Sequence, residues 1–428
     1  MGTNEGVART LDHAGPEAGE GTAWLPALVA AFPSSIAITI AALRGILGRR
    51  TLREQGLQDL EISSEHARLE LRGSVATLTD LGSRNGTHVD GRRLAANESV
   101  VLVDGALVRV GRSLFVYRER FKGGLTASAP LGQLVSPFGL RDVAQALSGI
   151  ALRPTPFVLI EGNTGTGKEL LARHVVATLG RETPYAAVNV AGIAEGVFES
   201  QLFGHVAGAF SDARTASLGV LSAHEGGAVF LDEVGSLPLA LQSKLLRLLD
   251  QREVLPVGAT RPHFVDVLLV AATNECLEDA VAQGRFRGDL LARLAIARLE
   301  LPPLRERVED VFAIAQHLAA RHRIDLDPAY VEVEAMERLL LHAWPRNIRE
   351  LEGILRQAAT LDPRPGLRLW CMERLLGEDT AARSGLLSED VVAKALDLES
   401  GNETAAARRI GVTRGKLRRF LSKKGPSI

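Results

Sequence analysis

The sequence predicts a multidomain chain: a β-sandwich, then an α/β domain with a parallel sheet and a helical continuation, then a small all-α unit. Three observations predict it. Short β runs broken by Gly, Asn, Asp and Ser fill residues 23–120, which is the texture of a sandwich. Between Phe138 and about Leu299, apolar runs of parallel-strand length alternate with helical periods, as βαβ units require. From Val308 to Leu376 the pattern is helical only, and a final helical segment, Ser388–Leu421, is basic. A length of 428 residues with 46% hydrophobic side chains supplies several packed cores. A net charge of −1 means that any nucleic-acid affinity must be local.

Residues 1–22 are polar, rich in Gly and Glu, and expected to be disordered. Leu25 to Leu43 carries no charge and approaches the length of a bilayer span. Pro33-Ser34-Ser35 interrupts it, so it reads instead as two strands, Leu28–Phe32 and Ile36–Ile40, around a turn, and no membrane contact is expected. Further strands are expected at His66–Leu71, Val75–Leu78, Val100–Val103, Leu107–Val110 and Leu114–Tyr117. The aperiodic stretch Phe121–Pro137 reads as a linker, with residues 121–134 as the boundary. Parallel strands are expected at Phe157–Ile160, Ala186–Val190, Ala228–Leu231 and Val267–Ala272, with helices such as Glu169–Leu179 and Leu239–Asp250 between them. Cys276 and Cys371 have no framework or metal spacing and are expected to be buried thiols in a reducing cytoplasm.

Gly162-Asn163-Thr164-Gly165-Thr166-Gly167-Lys168 stands between an apolar strand and a helix, the setting of a phosphate-binding loop. Its glycines let backbone N–H groups face phosphates, the helix N-terminus adds positive potential, and Lys168 reaches the terminal phosphates. Glu169 stands where Ser or Thr is usual. The strand Gly227–Leu231 ends in Asp232-Glu233. Asp232 suits Mg²⁺ held through its water shell, and Glu233 suits orientation or deprotonation of an attacking water. Together the two elements point to an ATPase that uses ATP and Mg²⁺.

From Val135 to Gly377 the chain resembles the AAA+ domain of bacterial enhancer-binding proteins that activate sigma-54 RNA polymerase. In that family Glu follows the loop lysine, as Glu169 does here. Further matching runs are 199–205, 271–274, 284–287, 301–307 and 344–351. The resemblance implies an α/β ATPase subdomain over 135–304 and a helical lid over 305–377. It also implies nucleotide contacts by Gly162, Gly165, Thr166, Gly167, Lys168, Glu169 and Arg349, the last as a lid sensor. Asn274 would place the γ-phosphate and water, and Asn189 would hold the catalytic Glu233 inactive. Arg287 and Arg293 would reach the nucleotide of a neighbouring subunit in a ring, expected to be a hexamer, so that hydrolysis depends on assembly. Arg285 reads instead as a surface ion pair.

The family's sigma-contacting loop reads Gly-Ala-Phe-Thr-Gly-Ala. Here it reads Gly208, Ala209, Phe210, Ser211, Asp212, Ala213. Asp212 replaces a residue free to take positive φ and adds a carboxylate at the tip. Two readings stay open: a regulator that engages sigma-54, and a DNA-binding regulator or AAA+ remodeller that no longer does.

The N-terminal part, residues 23–120, resembles a forkhead-associated (FHA) domain, through Gly48-Arg49, Ser63-Ser64-Glu65-His66, residues 80–87 and Asp90-Gly91. The resemblance implies binding of a phosphothreonine-containing protein. Arg49 offers a guanidinium fork, Ser63 a hydroxyl and Asn85 a clamp on the peptide backbone, while Ser64 or Arg84 supplies a second contact. His66 is read as structural. From Gly401 to the end, eight Lys or Arg stand against one acid, Glu403. Asn402–Ile410, Gly411-Val412 and Thr413–Leu421 read as helix, turn, helix, and residues 378–428 resemble a Fis-type helix-turn-helix. Thr413, Arg414, Lys416, Arg418 and Arg419 would meet DNA. Together these resemblances imply a cytoplasmic transcription regulator that hydrolyses ATP to remodel sigma-54 RNA polymerase under phosphothreonine control.

Overall fold

The computed structural model describes residues 24–191, 195–211 and 213–377, with 392, 393, 395, 396, 401–404, 406, 417 and 418 beyond them. The first region contains β1 (Leu25–Phe32), β2 (Ala37–Thr39), β3 (Ile46–Leu47), α1 (Arg49–Glu54), β4 (Ala67–Arg72) and β5 (Val75–Asp80). It continues with β6 (Thr87–Val89), β7 (Arg92–Arg93), β8 (Ser99–Leu102), β9 (Leu107–Val110) and β10 (Ser113–Phe121). Two sheets, ordered β2-β1-β10-β9-β6-β7 and β3-β4-β5-β8, enclose a core that includes Leu28, Leu47, Leu69, Leu78, Phe115 and Tyr117. Each strand expected from the pattern is present within a few residues; β3, β6, β7 and α1 are additional.

The uncharged stretch from Leu25 has a packing reason. Every residue of β1 from Ala27 to Phe32 is buried. Leu28 and Ala30 face the sandwich core, Ala27 and Val29 meet Phe121 and Phe138, and Ala31 and Phe32 join the core of the helical lid. A strand covered on both faces loses its polar alternation. Among the described residues no helix is long and apolar enough to cross a membrane.

The second region contains α2 (Arg141–Leu152), β11 (Phe157–Glu161), α3 (Lys168–Thr178), β12 (Tyr185–Asn189), α4 (Glu195–Phe203), α5 (Gly219–Ala223) and β13 (Ala228–Asp232). It continues with α6 (Leu239–Gln251), the short pair β14 (Glu253–Val254) and β15 (His263–Phe264), β16 (Leu268–Thr273), α7 (Leu277–Ala282), α8 (Gly288–Leu294) and β17 (Arg298–Glu300). Five strands form a parallel sheet in the order β12-β13-β16-β11-β17. Alternate residues feed cores on its two faces, Leu159, Leu231 and Leu269 on one, Ile160, Phe230 and Val270 on the other. The third region is the lid: α9 (Val311–Arg321), α10 (Val333–Leu341), α11 (Asn347–Leu361) and α12 (Leu369–Leu376). The sandwich docks directly on it. Phe32, Leu107, Leu114 and Val116 share one core with Val311, Phe312, Ala315 and Leu340, and the Phe32 and Phe312 rings meet edge to face at 4.9 Å.

The segment read as a linker is pinned. Ile36 pairs with Thr126, Phe121 packs on Phe138, and the Arg141 guanidinium lies over both rings. The cysteine expectation needs one correction: Cys371 is buried, but Cys276 is exposed, because it caps the start of α7 at the sheet's surface edge. The expected helix-turn-helix lies largely outside the described residues.

Candidate nucleotide and phosphopeptide sites

The phosphate-binding loop leaves β11 and opens α3, at the edge where β13 and β16 also end, the usual place for a ligand on an open α/β sheet. Gly165 has φ +79°, and a Cβ there would lie 2.4 Å from the Arg346 carbonyl oxygen, so the lid can close onto the loop only over glycine. The lid does so through the start of α11. The Ile348 N–H donates to the Gly165 oxygen at 3.0 Å, and Asn347 Nδ2 to the Thr164 oxygen at 2.9 Å. The buried Asn347 also accepts the Leu304 N–H through Oδ1. Thr166 is wholly buried, with its hydroxyl on the Asn163 oxygen.

Lys168 is buried and donates through Nζ to the Gly162 oxygen at 2.8 Å. Burial lowers its pKa, against the pull of Glu233 and Asp232, and Arg349 adds to the lowering. Asp232 ends β13, and Glu233 follows in a left-handed conformation at φ +60°, uncommon for a side chain of its size. Burial raises the Glu233 pKa; Lys168 opposes this and Asp232 supports it. The Asn274 amide, just beyond β16, donates to Thr164 Oγ1 at 3.1 Å and so ties this strand end to the loop. Backbone amides at a helix N-terminus, a lysine and two carboxylates form the donor set that a nucleotide phosphate with a divalent cation needs.

The remaining expected residues divide. Asn189 stands beside Asp232 in register, and its Oδ1 accepts the Ala191 N–H at 2.9 Å. Arg349 is exposed beside the loop, its Cβ 3.3 Å from where a Gly165 Cβ would stand. Glu169 faces outward and pairs with Arg173 at 3.1 Å. Arg287 pairs with Asp289 and Arg293 with Asp250, at 2.7 and 2.8 Å. Arg285 forms the surface pair expected of it, with Glu275. Two residues at this site went unread in the sequence. Arg307, 1% exposed, donates to the Thr166 oxygen, and the buried Asp310 binds the segment that leads into α2. Arg307 closes a run already matched to a known family, a signal that was available; Asp310 had none.

In the sandwich, Gly48 caps α1 where a Cβ would lie 2.1 Å from the Ser64 oxygen. That close approach brings Arg49 against the Ser63–Ser64 loop. Arg49 donates to the Ile62 and Leu60 oxygens at 2.8 and 3.1 Å, Ser63 Oγ accepts the Arg84 N–H, and Asn85 Nδ2 donates to the Glu61 oxygen. All five expected side chains therefore fall on one loop cluster, with Arg49, Ser64, Arg84 and Asn85 exposed. His66 is structural, as expected. It is fully buried, accepts the Ser63 N–H at Nδ1 and lies 3.2 Å from the Gly86 oxygen through Nε2. Burial lowers its pKa, which suits a neutral ring donating from Nε2.

The loop at 208–213 closes on itself: the Gly208 N–H donates to the Ala213 oxygen at 2.7 Å. Ala209 and Ser211 lie on this turn, and the exposed Phe210 ring lies 5.0 Å from His205. His205 is itself held by Ser200 and Thr215. Asp212 lies outside the described residues. So do Thr413, Arg414, Lys416 and Arg419; Arg418 stands 3.3 Å from Glu403, and Leu417 and Ala406 are buried.

A five-stranded parallel sheet carrying this loop, with a helical lid bonded onto it and a β-sandwich in front, defines an AAA+ ATPase joined to an FHA module. Family comparison places a Sigma-54 interaction domain at residues 139–300, an FHA domain at 46–111 and an AAA+ ATPase lid domain at 305–383. Residues 139–300 of this chain are thus similar to sigma-54 interaction domains. The chain is 37% identical over 299 residues to the transcriptional regulatory protein GlrR of Escherichia coli (strain K12), covering 67% of this chain and 66% of that protein. It is 45% identical over 262 residues to the DNA-binding transcriptional regulator NtrC of Bradyrhizobium sp. (strain RP501 Parasponia), covering 59% and 54%. A crystal structure of NtrX from Brucella abortus is similar at a TM-score of 0.50 and 29% identity, covering 69% of this chain and 70% of that one. The chain thus spans just under two thirds, or less, of these curated relatives.

Proposed function

We propose that this chain is a cytoplasmic transcription regulator of the sigma-54-dependent kind, which hydrolyses ATP in a ring, binds DNA through its basic tail and answers to phosphothreonine recognition. The observation that carries this reading is the convergence of Lys168, Asp232, Glu233 and Asn274 on one edge of the parallel sheet. ATP phosphates meet the backbone amides of Gly165, Thr166, Gly167 and Lys168, with Gly162 and Glu169 bounding the loop. Asp232 would hold Mg²⁺ through its water shell, and the bound ion would supply charge neutralisation at the phosphates. Glu233, kept from easy ionisation by burial, takes the proton of the attacking water, which Asn274 helps to place. Arg287, exposed, and Arg293, half-buried, leave their own carboxylates to stabilise the transferred phosphoryl of a neighbour. Arg349 reports nucleotide state, and Asn189 restrains Glu233 when the ring is idle. A hexamer is the expected ring.

Phosphothreonine binds Arg49, Ser63 and Ser64, with Asn85 and Arg84 on the peptide. Thr413, Arg414, Lys416, Arg418 and Arg419 anchor the ring upstream on DNA. The turn at Phe210 supports engagement of sigma-54 RNA polymerase. Asp212 favours a second reading, in which the ATPase and the DNA anchor persist but the loop serves another target. The test is open-complex formation on a sigma-54 promoter by the full-length chain with ATP, beside an Asp212→Gly variant. Opening by the native chain is expected under the first reading. Opening by the variant alone supports the second, and ATP turnover without opening by either removes sigma-54 as the target.

A further inference from the structure

The turn joining the ATPase to its lid makes three contacts in three directions within four residues. Arg307 reaches the phosphate-binding loop, donating through Nη2 to the Thr166 oxygen at 3.1 Å. Glu309 receives Arg118 of β10 in a two-pronged pair, at 3.1 Å from Nε and 2.5 Å from Nη2. Asp310 accepts the N–H groups of Phe138 and Gly139, both at 2.9 Å, and the Ser136 hydroxyl. All three side chains are buried. Arg118 also donates to the Glu306 oxygen at 2.7 Å, so the sandwich grips the turn by side chain and backbone together. Burial opposes the Arg118 charge, but Glu309 and Asp104 hold its pKa above the usual value.

Neighbouring contacts extend the grip. Arg109 pairs with Glu334 and Glu337 at 2.7 and 3.1 Å, and Arg112 donates to the Pro328 and Val331 oxygens. Arg109 and Arg118 of one sheet face, with Arg112 of the turn between β9 and β10, thus bind the lid over an apolar contact shared with it.

We propose that the FHA module is a cis-acting ligand of its own ATPase: its docked sheet face, acting through Arg118 and Glu309, positions Arg307 against the phosphate-binding loop and thereby raises nucleotide affinity. Arg307 is a buried cation whose Nε and Nη1 have no hydrogen-bond partner among the described residues, and its charge is offset chiefly by Asp310 and Glu309. Loss of the Arg118 guanidinium from the docked face leaves Glu309 buried without its partner, a costly state. The guanidinium already in the same turn is its nearest replacement, and re-pairing draws Arg307 away from Thr166. Arg118 is therefore a positioning residue, acting on nucleotide through a second side chain. The inference rests on the nucleotide site assigned above.

The experiment is titration of the full-length chain with a fluorescent ADP analogue, for wild type, Arg118→Met, Arg307→Met and the double variant. Arg118→Met is expected to weaken binding about tenfold, the equivalent of one lost hydrogen bond from a charged donor. Arg307→Met is expected to do the same, and the double variant to be no weaker than Arg307→Met, because both act through one contact. Arg118→Lys should restore part of the loss. Wild-type affinity in a folded Arg118→Met chain, or losses that add in the double variant, overturns the proposal. Should Arg118→Met fail to fold, Arg118→Lys serves, since its single ammonium leaves the two-pronged pair incomplete: a smaller loss in the same direction supports the coupling, and unchanged affinity overturns it. Absence of ADP binding by the wild type would instead remove the nucleotide-site reading itself.

Discussion

The phosphate-binding loop and the Arg49 loop cluster both offer positive groups to a phosphate, yet they are built in opposite ways. The first is backbone on the edge of a buried parallel sheet, with Lys168 inside and the lid bonded onto Thr164 and Gly165. The second is side chains on exposed loops, where Arg49 is held by the Ile62 and Leu60 carbonyls. A buried site perturbs its own acids and bases, so chemistry becomes possible there. An exposed one suits reversible recognition.

That contrast sets the expected sizes of four effects. Lys168→Ala should lower ATP turnover by about 10²–10³, as loss of a preorganised charge does, measured by phosphate release from the full-length chain. Glu233→Gln should lower kcat by about 10² or more while nucleotide binding persists. Because its carboxyl must be ionised to act and burial raises its pKa, the acid limb of the wild-type kcat/KM profile should lie above the ordinary carboxylate range. A limb at the usual carboxylate pKa would remove Glu233 as the base. Arg49→Ala should cost about tenfold or more in affinity for a phosphothreonine peptide, read by fluorescence anisotropy, with ATP turnover at saturating nucleotide unchanged. A loss of turnover of similar size would erase the distinction between the two sites.

The smallest effect concerns the seam between the regions. Glu337, against Arg109, has its pKa raised to about 7 by burial, with Arg109 opposing. A carboxyl raised in the folded state contributes stability below its unfolded pKa, and that contribution is lost as pH rises through the folded value. Glu337→Gln, which mimics the neutral form, should therefore be more stable than wild type by about 1–2 kcal/mol at pH near 8. The gap should close toward pH 5 in urea denaturation, and a gap independent of pH would contradict this assignment.

Much of this was legible in the sequence where local chemistry decides. The loop glycines, Lys168 and the Asp232-Glu233 pair stand next to the strands that position them, so pattern and site coincide. Arg49 was legible as a member of the exposed loop cluster but not as the first residue of a helix, because α1 is only six residues long and no helical period shows. The docking face was not legible. Arg109 reads as an ordinary polar position on a strand, Arg112 and Arg118 fall outside the strands the pattern marks, and Arg118 meets Glu309 across 191 residues of chain. Nothing local marks such a pair. The apolar run at β1 carried the one hint, since a sandwich strand with a wet face would have alternated. Arg287 and Arg293 pair with Asp289 and Asp250 close by, so nothing local sets them apart from ordinary surface ion pairs.

The core shared by Phe32, Leu114, Val116, Val311 and Phe312 bears on how such a chain is taken apart or recombined. A cut in residues 121–134 divides the sequence at a natural-looking seam but splits a hydrophobic interior, leaving apolar side chains on α9 facing water. Deletion of the front module therefore changes solubility, and a loss of activity on truncation carries no sign of control. By the same reasoning, a different sensor grafted at this junction would have to bring its own cover for α9, or evolve together with it.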